Sequence, residues 1–96
     1  MQSVDEQIIT VRVRITGRVQ GVGYRYACAE QAHVLALSGW VRNLPDGCVE
    51  ALLQGNEEAV RSLLGWMKEG PELARVDDLA VTPDAGDAPF PFQVRK

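Results

Sequence analysis

Positive charge is in short supply: 10 Lys and Arg stand against 13 Asp and Glu, a formal net charge of -3. Nucleic-acid and anionic-membrane surfaces need a basic face to displace counterions, and a pI near 5.0 argues against both partners. No apolar run approaches the roughly 18 residues of a bilayer-spanning helix. The opening MQSVDEQ lacks a basic start and a long apolar core, so it does not read as a secretory signal. A cytoplasmic protein, off the membrane, is the expectation. Cysteine is scarce too. Cys28 and Cys48 fall on a predicted helix and a predicted strand, outside any close-spaced ligand motif, and read as reduced thiols in or near the core. Cys28 lies near enough to a helix start for its thiol pKa to be lowered, which leaves a redox role open. The single histidine, His33, falls on the polar side of that helix and reads as a surface residue. Repeats and low-complexity tracts are absent.

What is present suits one small domain. A chain of 96 residues, 46% hydrophobic, can bury a core without disulfide or metal staples but is too short for a two-domain enzyme. Residues 1–7 read as a flexible tail and 8–96 as the domain, expected to be a monomer.

Along the chain, Ile9, Val11, Val13 and Ile15 alternate with Thr10, Arg12, Arg14 and Thr16, the pattern of a half-buried strand. From Tyr24 to Leu37 the spacing of Arg25, Cys28, Ala32 and Leu35 is helical, helped by Ala27, Ala29 and Ala36. Two β-like segments, Gly39 to Leu44 and Cys48 to Gln54, flank Pro45, Asp46 and Gly47 and predict a hairpin. Asn56 is a suitable N-cap, Glu57 and Glu58 suit a first turn, and Val60, Leu63, Leu64 and Met67 form a helical stripe that Gly70 and Pro71 end. Ala74 to Thr82 reads as a strand, as does the alternation of Phe90, Phe92 and Val94, the latter weakened by Pro91. Between them PDAGDAP reads as a surface loop. The order is βαββαβ with a short terminal strand: an α+β, ferredoxin-like split βαβ sandwich, its antiparallel sheet covered on one face by two helices.

The stretch from Gly17 to Arg25, GRVQGVGYR, joins the first strand to the first helix. Its glycines permit close backbone approach, so consecutive N–H groups can converge on one anion, with Arg25 in the first helical turn. It matches neither common nucleotide fingerprint: Tyr26 stands where the third glycine of GxGxxG belongs, and no GKS or GKT closes a P-loop. From spacing alone an ordinary glycine turn is an equal reading. Arg25 by itself reads as a solvated surface arginine, and Asn43, before a Pro/Asp/Gly turn, as an Asx-type turn former. Arg18 and Arg42 add positive potential or are simply solvated. Trp40 and Trp66 read as packing residues.

A second constellation runs Gly39, Trp40, Val41, Arg42, Asn43, then LPDG, Cys48, Val49 and Gly55. Together with GRVQGVGYR it resembles the acylphosphatase family, the first segment from Ile15 through Arg25 and the second as GWVxN…GxVxxxxxG from Gly39 through Gly55. Tyr24 departs from the phenylalanine usual before the arginine, which keeps the aromatic packing and adds a hydroxyl.

The resemblance implies a small ferredoxin-like hydrolase that cleaves the carboxyl-phosphate bond of acyl phosphates, giving a carboxylate and inorganic phosphate, with no metal or cofactor. It makes Arg25 and Asn43 the catalytic residues. The backbone N–H groups of Gln20, Gly21, Val22, Gly23, Tyr24 and Arg25 become the phosphate cradle, and inorganic phosphate a competitive inhibitor. An acyl phosphate carries a good leaving group, so positioning and charge stabilisation suffice without a catalytic His, Cys or Asp. Three rivals stand beside this reading: a module of a larger carbamoyl-transfer protein, a non-catalytic anion binder, and an RNA-binding domain of the same architecture. The chain ends soon after its last strand, which favours the free-standing enzyme over the first. A water-orienting amide is superfluous to the second. The acidic pI and the lack of an aromatic-rich RNP-like segment oppose the third.

Overall fold

The alternating run at the N-terminal end forms β1, Ile8–Arg18, whose Val13 and Ile15 are fully buried while Arg14 and Thr16 face solvent. The structure, a computed structural model, describes residues 7–96. The tail expected over 1–7 thus lies outside the described residues except for Gln7, whose carbonyl accepts from the Glu57 N–H at 3.0 Å. Then follow α1, Tyr24–Val34; β2, Ser38–Asn43; β3, Val49–Asn56; α2, Glu57–Met67; β4, Arg75–Pro83; and β5, Gln93–Val94.

These elements make a five-stranded sheet in the order β4-β1-β3-β2-β5. The pairings β1/β3, β1/β4 and β2/β3 are antiparallel, as the βαββαβ pattern requires, while β5 lies parallel to β2 with Val41 opposite Val94. Both helices supply side chains to one core: Cys28, Ala29 and Ala32 from α1 and Val60, Leu63 and Met67 from α2 meet Val13, Ile15, Val41, Val49, Ala51 and Leu53 of the sheet. The chemistry of each helix end explains its length. Asn56 caps α2 by accepting from the Glu58 N–H at 2.9 Å, as its sequence predicts. At the other end of α1, the Leu37 N–H reaches the Ala32 carbonyl and the Ala36 N–H the His33 carbonyl, a Schellman closure with Ala36 at φ 56. The helix therefore stops at Val34, short of the Leu37 that alanine propensity suggests.

The polar loop after β4 has a structural task that its composition conceals. Since β4 and β5 occupy opposite edges, the chain between them crosses the sheet face away from the helices. The Asp84 N–H bonds the Thr10 carbonyl at 3.0 Å and the Pro89 carbonyl accepts from Gly39 at 2.8 Å. Arg12 binds Asp84 at 3.2 Å and Glu50 at 3.3 Å. Trp40 sits on the same face, 6% exposed, with the guanidinium groups of Arg12, Arg42 and Arg95 within 5.0 to 5.5 Å of its ring. It is a packing residue, as expected, and cation–π contact rather than helix cover buries it. Arg42 is not simply solvated: its Nε and Nη2 donate to Glu50 Oε1 at 2.9 and 2.6 Å. No helix among the described residues is long and apolar enough to cross a membrane.

Candidate active site

Between β1 and α1 the backbone turns through Gly21 at φ 75 and Gly23 at φ 80, left-handed values that glycine adopts without strain. Gly23 is the N-cap of α1, and among the described residues no side chain caps this helix. Among the described residues, none of the N–H groups of Gln20 through Arg25 donates to a backbone carbonyl. The first turn of α1 contains no acidic residue, whereas that of α2 holds Glu57 and Glu58. The two helix starts are thus opposite in character. One is neutralised by its own cap and carboxylates; the other keeps bare donors and a positive dipole end that favours an anion.

Arg25 and Asn43 meet there. Val19, Gly21, Gly23, Tyr24, Arg25, Tyr26 and Asn43 line a single cleft of about 210 Å³. Arg25 is half-buried, and its Nη1 donates to the Arg95 carbonyl at 2.8 Å. One of its five guanidinium N–H donors is thereby fixed to the terminal strand region, and the remainder are available to oxyanions. The Tyr26 ring lies 5.6 Å from the same guanidinium. Arg25 is not fully solvated, and Asn43 does not form an Asx turn. The Asx turn belongs to Asp46, whose Oδ1 accepts from the Cys48 N–H at 3.0 Å. Asn43 Oδ1 is the one buried side-chain polar atom without a hydrogen-bond partner among the described residues. Leaving a buried acceptor unpaired costs about 1–3 kcal/mol, so its position in the cleft wall calls for a reason.

Around the cleft the scaffold is closely packed. Tyr24 is buried beneath it, its hydroxyl donating to the Met67 carbonyl at 2.8 Å and its ring tilted against Trp66 at 5.7 Å. Burial raises the Tyr24 phenol pKa well above its ordinary value, with the Cys28 thiol adding to the shift. The Cys28 thiol itself is pushed up to about 12 by burial. The lowering that its nearness to a helix start suggests does not occur, because desolvation of the thiolate outweighs the dipole. Both cysteines are free and buried. His33 is exposed, yet its Nε2 lies 2.9 Å from the Phe92 carbonyl and must carry the proton, since a carbonyl only accepts. Among the described residues no three His, Cys, Asp or Glu side chains gather as a metal site. The Arg95 contact has no local signal in the sequence, because Arg95 reaches Arg25 only through the crossover to β5.

The Acylphosphatase family profile matches residues 11–93. The chain belongs to the acylphosphatase family. It is 53% identical over 90 residues to Acylphosphatase 2 of Ralstonia nicotianae, an alignment that covers 93% of this chain and 95% of that one. Its fold superposes on an acylphosphatase from Bacillus subtilis with a TM-score of 0.87 at 35% identity, covering 94% of this chain and 100% of the other. A full-length HypF structure also shares the fold, with a TM-score of 0.83 at 23% identity over 13% of its length. Family membership makes this chain an enzyme of acyl phosphate hydrolysis.

Proposed function

We propose that the cleft hydrolyses the carboxyl-phosphate bond of small acyl phosphates, with Arg25 and Asn43 as its catalytic residues. The backbone N–H groups of Gln20, Gly21, Val22, Gly23, Tyr24 and Arg25 hold the phosphoryl oxygens at the bare start of α1. Arg25 clamps two of those oxygens and offsets the charge that spreads over them in a loose transition state. Water attacks phosphorus, the bond from phosphorus to the acyl oxygen breaks, and the carboxylate leaves as an anion. A carboxylate is stable at neutral pH without an added proton, so no general acid is needed. The water proton passes to a phosphate oxygen.

The observation that carries this reading is the buried Oδ1 of Asn43, without a hydrogen-bond partner among the described residues, in the wall of the cleft that holds Arg25. An amide oxygen is too weak a base to take a proton but accepts a hydrogen bond, so it orients water rather than activating it. A module that only bound phosphate would gain nothing from such an acceptor. The reaction uses no metal or cofactor, and inorganic phosphate, the product, competes with substrate for the N–H cradle. We take the protein to act as a cytoplasmic monomer.

Hydrolysis of benzoyl phosphate in EDTA tests the proposal. Turnover is expected, with competitive inhibition by inorganic phosphate, and Arg25→Ala loses it mainly through phosphate binding. Phosphate binding without turnover would instead make the chain an anion-binding module.

A further inference from the structure

Gln20 does more in this structure than contribute a backbone N–H. Its side-chain Nε2 donates to the Leu44 carbonyl and to the Cys48 carbonyl, each at 2.8 Å. Those carbonyls frame the β2–β3 turn that begins directly after Asn43. Each already accepts once from within the turn: Leu44 from the Gly47 N–H at 3.2 Å, Cys48 from the Leu44 N–H at 2.8 Å. A carbonyl has two lone pairs, so the Gln20 amide fills the second on both and completes the turn's hydrogen bonding. The amide orientation is unambiguous because both partners are acceptors. The glutamine therefore ties the loop that carries the N–H cradle to the turn that carries Asn43.

We propose that Gln20 is a positioning residue that holds Asn43 at a fixed distance from the phosphate loop. This inference rests on the proposed hydrolysis at the cleft. The phosphate loop has other anchors, namely Val19, 1% exposed beneath it, and Arg25 bonded to Arg95. The Asn43 end has the β3 ladder, where Asn43 pairs with Val49. The turn after Asn43 is also tied to β1, through Arg14 with Asp46 and Thr16 with Cys48. Each half thus has other supports, and among the side-chain hydrogen bonds of the described residues Gln20 alone joins that turn to the cradle residues 20–25. Losing it should spare the anion site and loosen only the placement of water against phosphorus. Small displacements of reacting groups cost rate far more than binding.

The test uses Gln20→Leu, which keeps the bulk and removes both donors, and Gln20→Asn, one methylene too short to reach both carbonyls. Both are compared with the wild-type chain and with each change in an Asn43→Ala background. Near-ultraviolet circular dichroism confirms folding, and the Asn variant serves if the Leu variant fails to fold. Wild-type turnover of benzoyl phosphate is measured first, and its absence would defeat the hydrolysis reading itself. Given turnover, kcat should fall by roughly ten- to a hundredfold while the inhibition constant for inorganic phosphate holds within about twofold. In the Asn43→Ala background the same changes should lower kcat no further, since the group they position is gone. An unchanged kcat, a phosphate constant that worsens in step with kcat, or two losses that multiply would each overturn the role of Gln20 and leave the hydrolysis reading intact.

Discussion

The hydroxyl of Tyr24, the first residue of α1, donates a 2.8 Å hydrogen bond to the carbonyl of Met67, the last residue of α2. The contact locks the start of the helix that carries Arg25 against the end of its neighbour. It also accounts for the tyrosine where phenylalanine is usual, because the added hydroxyl meets an otherwise unpaired C-terminal carbonyl.

Tyr24→Phe keeps the buried ring and loses this bond. Stability should fall by about 1 kcal/mol, read as a lower urea midpoint. The turnover number should stay near wild type, since the ring still supports the loop. An unchanged midpoint would show that the bond contributes nothing net.

Ala36 closes the C-terminus of α1 at φ 56, a conformation that costs an L-residue with a Cβ about 1 kcal/mol. Ala36→Gly should recover about that much stability and raise the thermal midpoint by several degrees. A lower midpoint would mean that the backbone entropy glycine adds to the unfolded chain outweighs the relief.

Much of this architecture was legible in the sequence because the signals were local. The alternation in β1 states which face is buried, Asn56 with Glu57 and Glu58 marks a helix start, and Pro45, Asp46 and Gly47 mark a hairpin. What is not legible there rests on an unusual backbone conformation or on contacts distant in sequence. The end of α1 rests on an alanine in a conformation usually given to glycine, so nothing local announces it. The parallel pairing of β5 with β2 follows from a loop that crosses between the two edges of the sheet, held by Asp84 at Thr10 and Pro89 at Gly39. Arg25 and Asn43 were nameable from two motifs, whereas the Gln20 link between their loops joins residues 24 and 28 apart.

Gly23 combines φ 80 with a site where an added Cβ meets nothing within 4 Å, and it lines the cleft. Gly23→Ala should cost about 1 kcal/mol of stability through backbone strain. Its methyl projects into open space beside the bare N–H groups, so the inhibition constant for inorganic phosphate should rise by roughly tenfold or more. Equal phosphate affinity in the variant, measured by calorimetry, would remove this backbone from the anion site.

Burial holds the Cys28 thiol at about 12, against about 8.5 in an unfolded chain. Between those values the unfolded state has released its proton and the folded state has not. The unfolded state therefore binds fewer protons, and stability falls as pH rises. The urea midpoint should drop from neutral pH to about pH 9.5, and Cys28→Ala should flatten that slope whatever its cost at neutral pH. Tyr24, whose phenol burial also raises, adds to the loss only above about pH 10. A slope unchanged by Cys28→Ala would place the alkaline sensitivity elsewhere.

The most direct test concerns Asn43, whose buried Oδ1 has no hydrogen-bond partner among the described residues. Steady-state hydrolysis of benzoyl phosphate by Asn43→Ala, with inorganic phosphate as the competing ligand, separates water placement from anion binding. A kcat reduced by roughly a hundredfold or more, with the phosphate inhibition constant within about twofold of wild type, is the predicted result. A near-wild-type kcat, or a phosphate constant that worsens as kcat falls, would contradict the assignment of Asn43 to the attacking water.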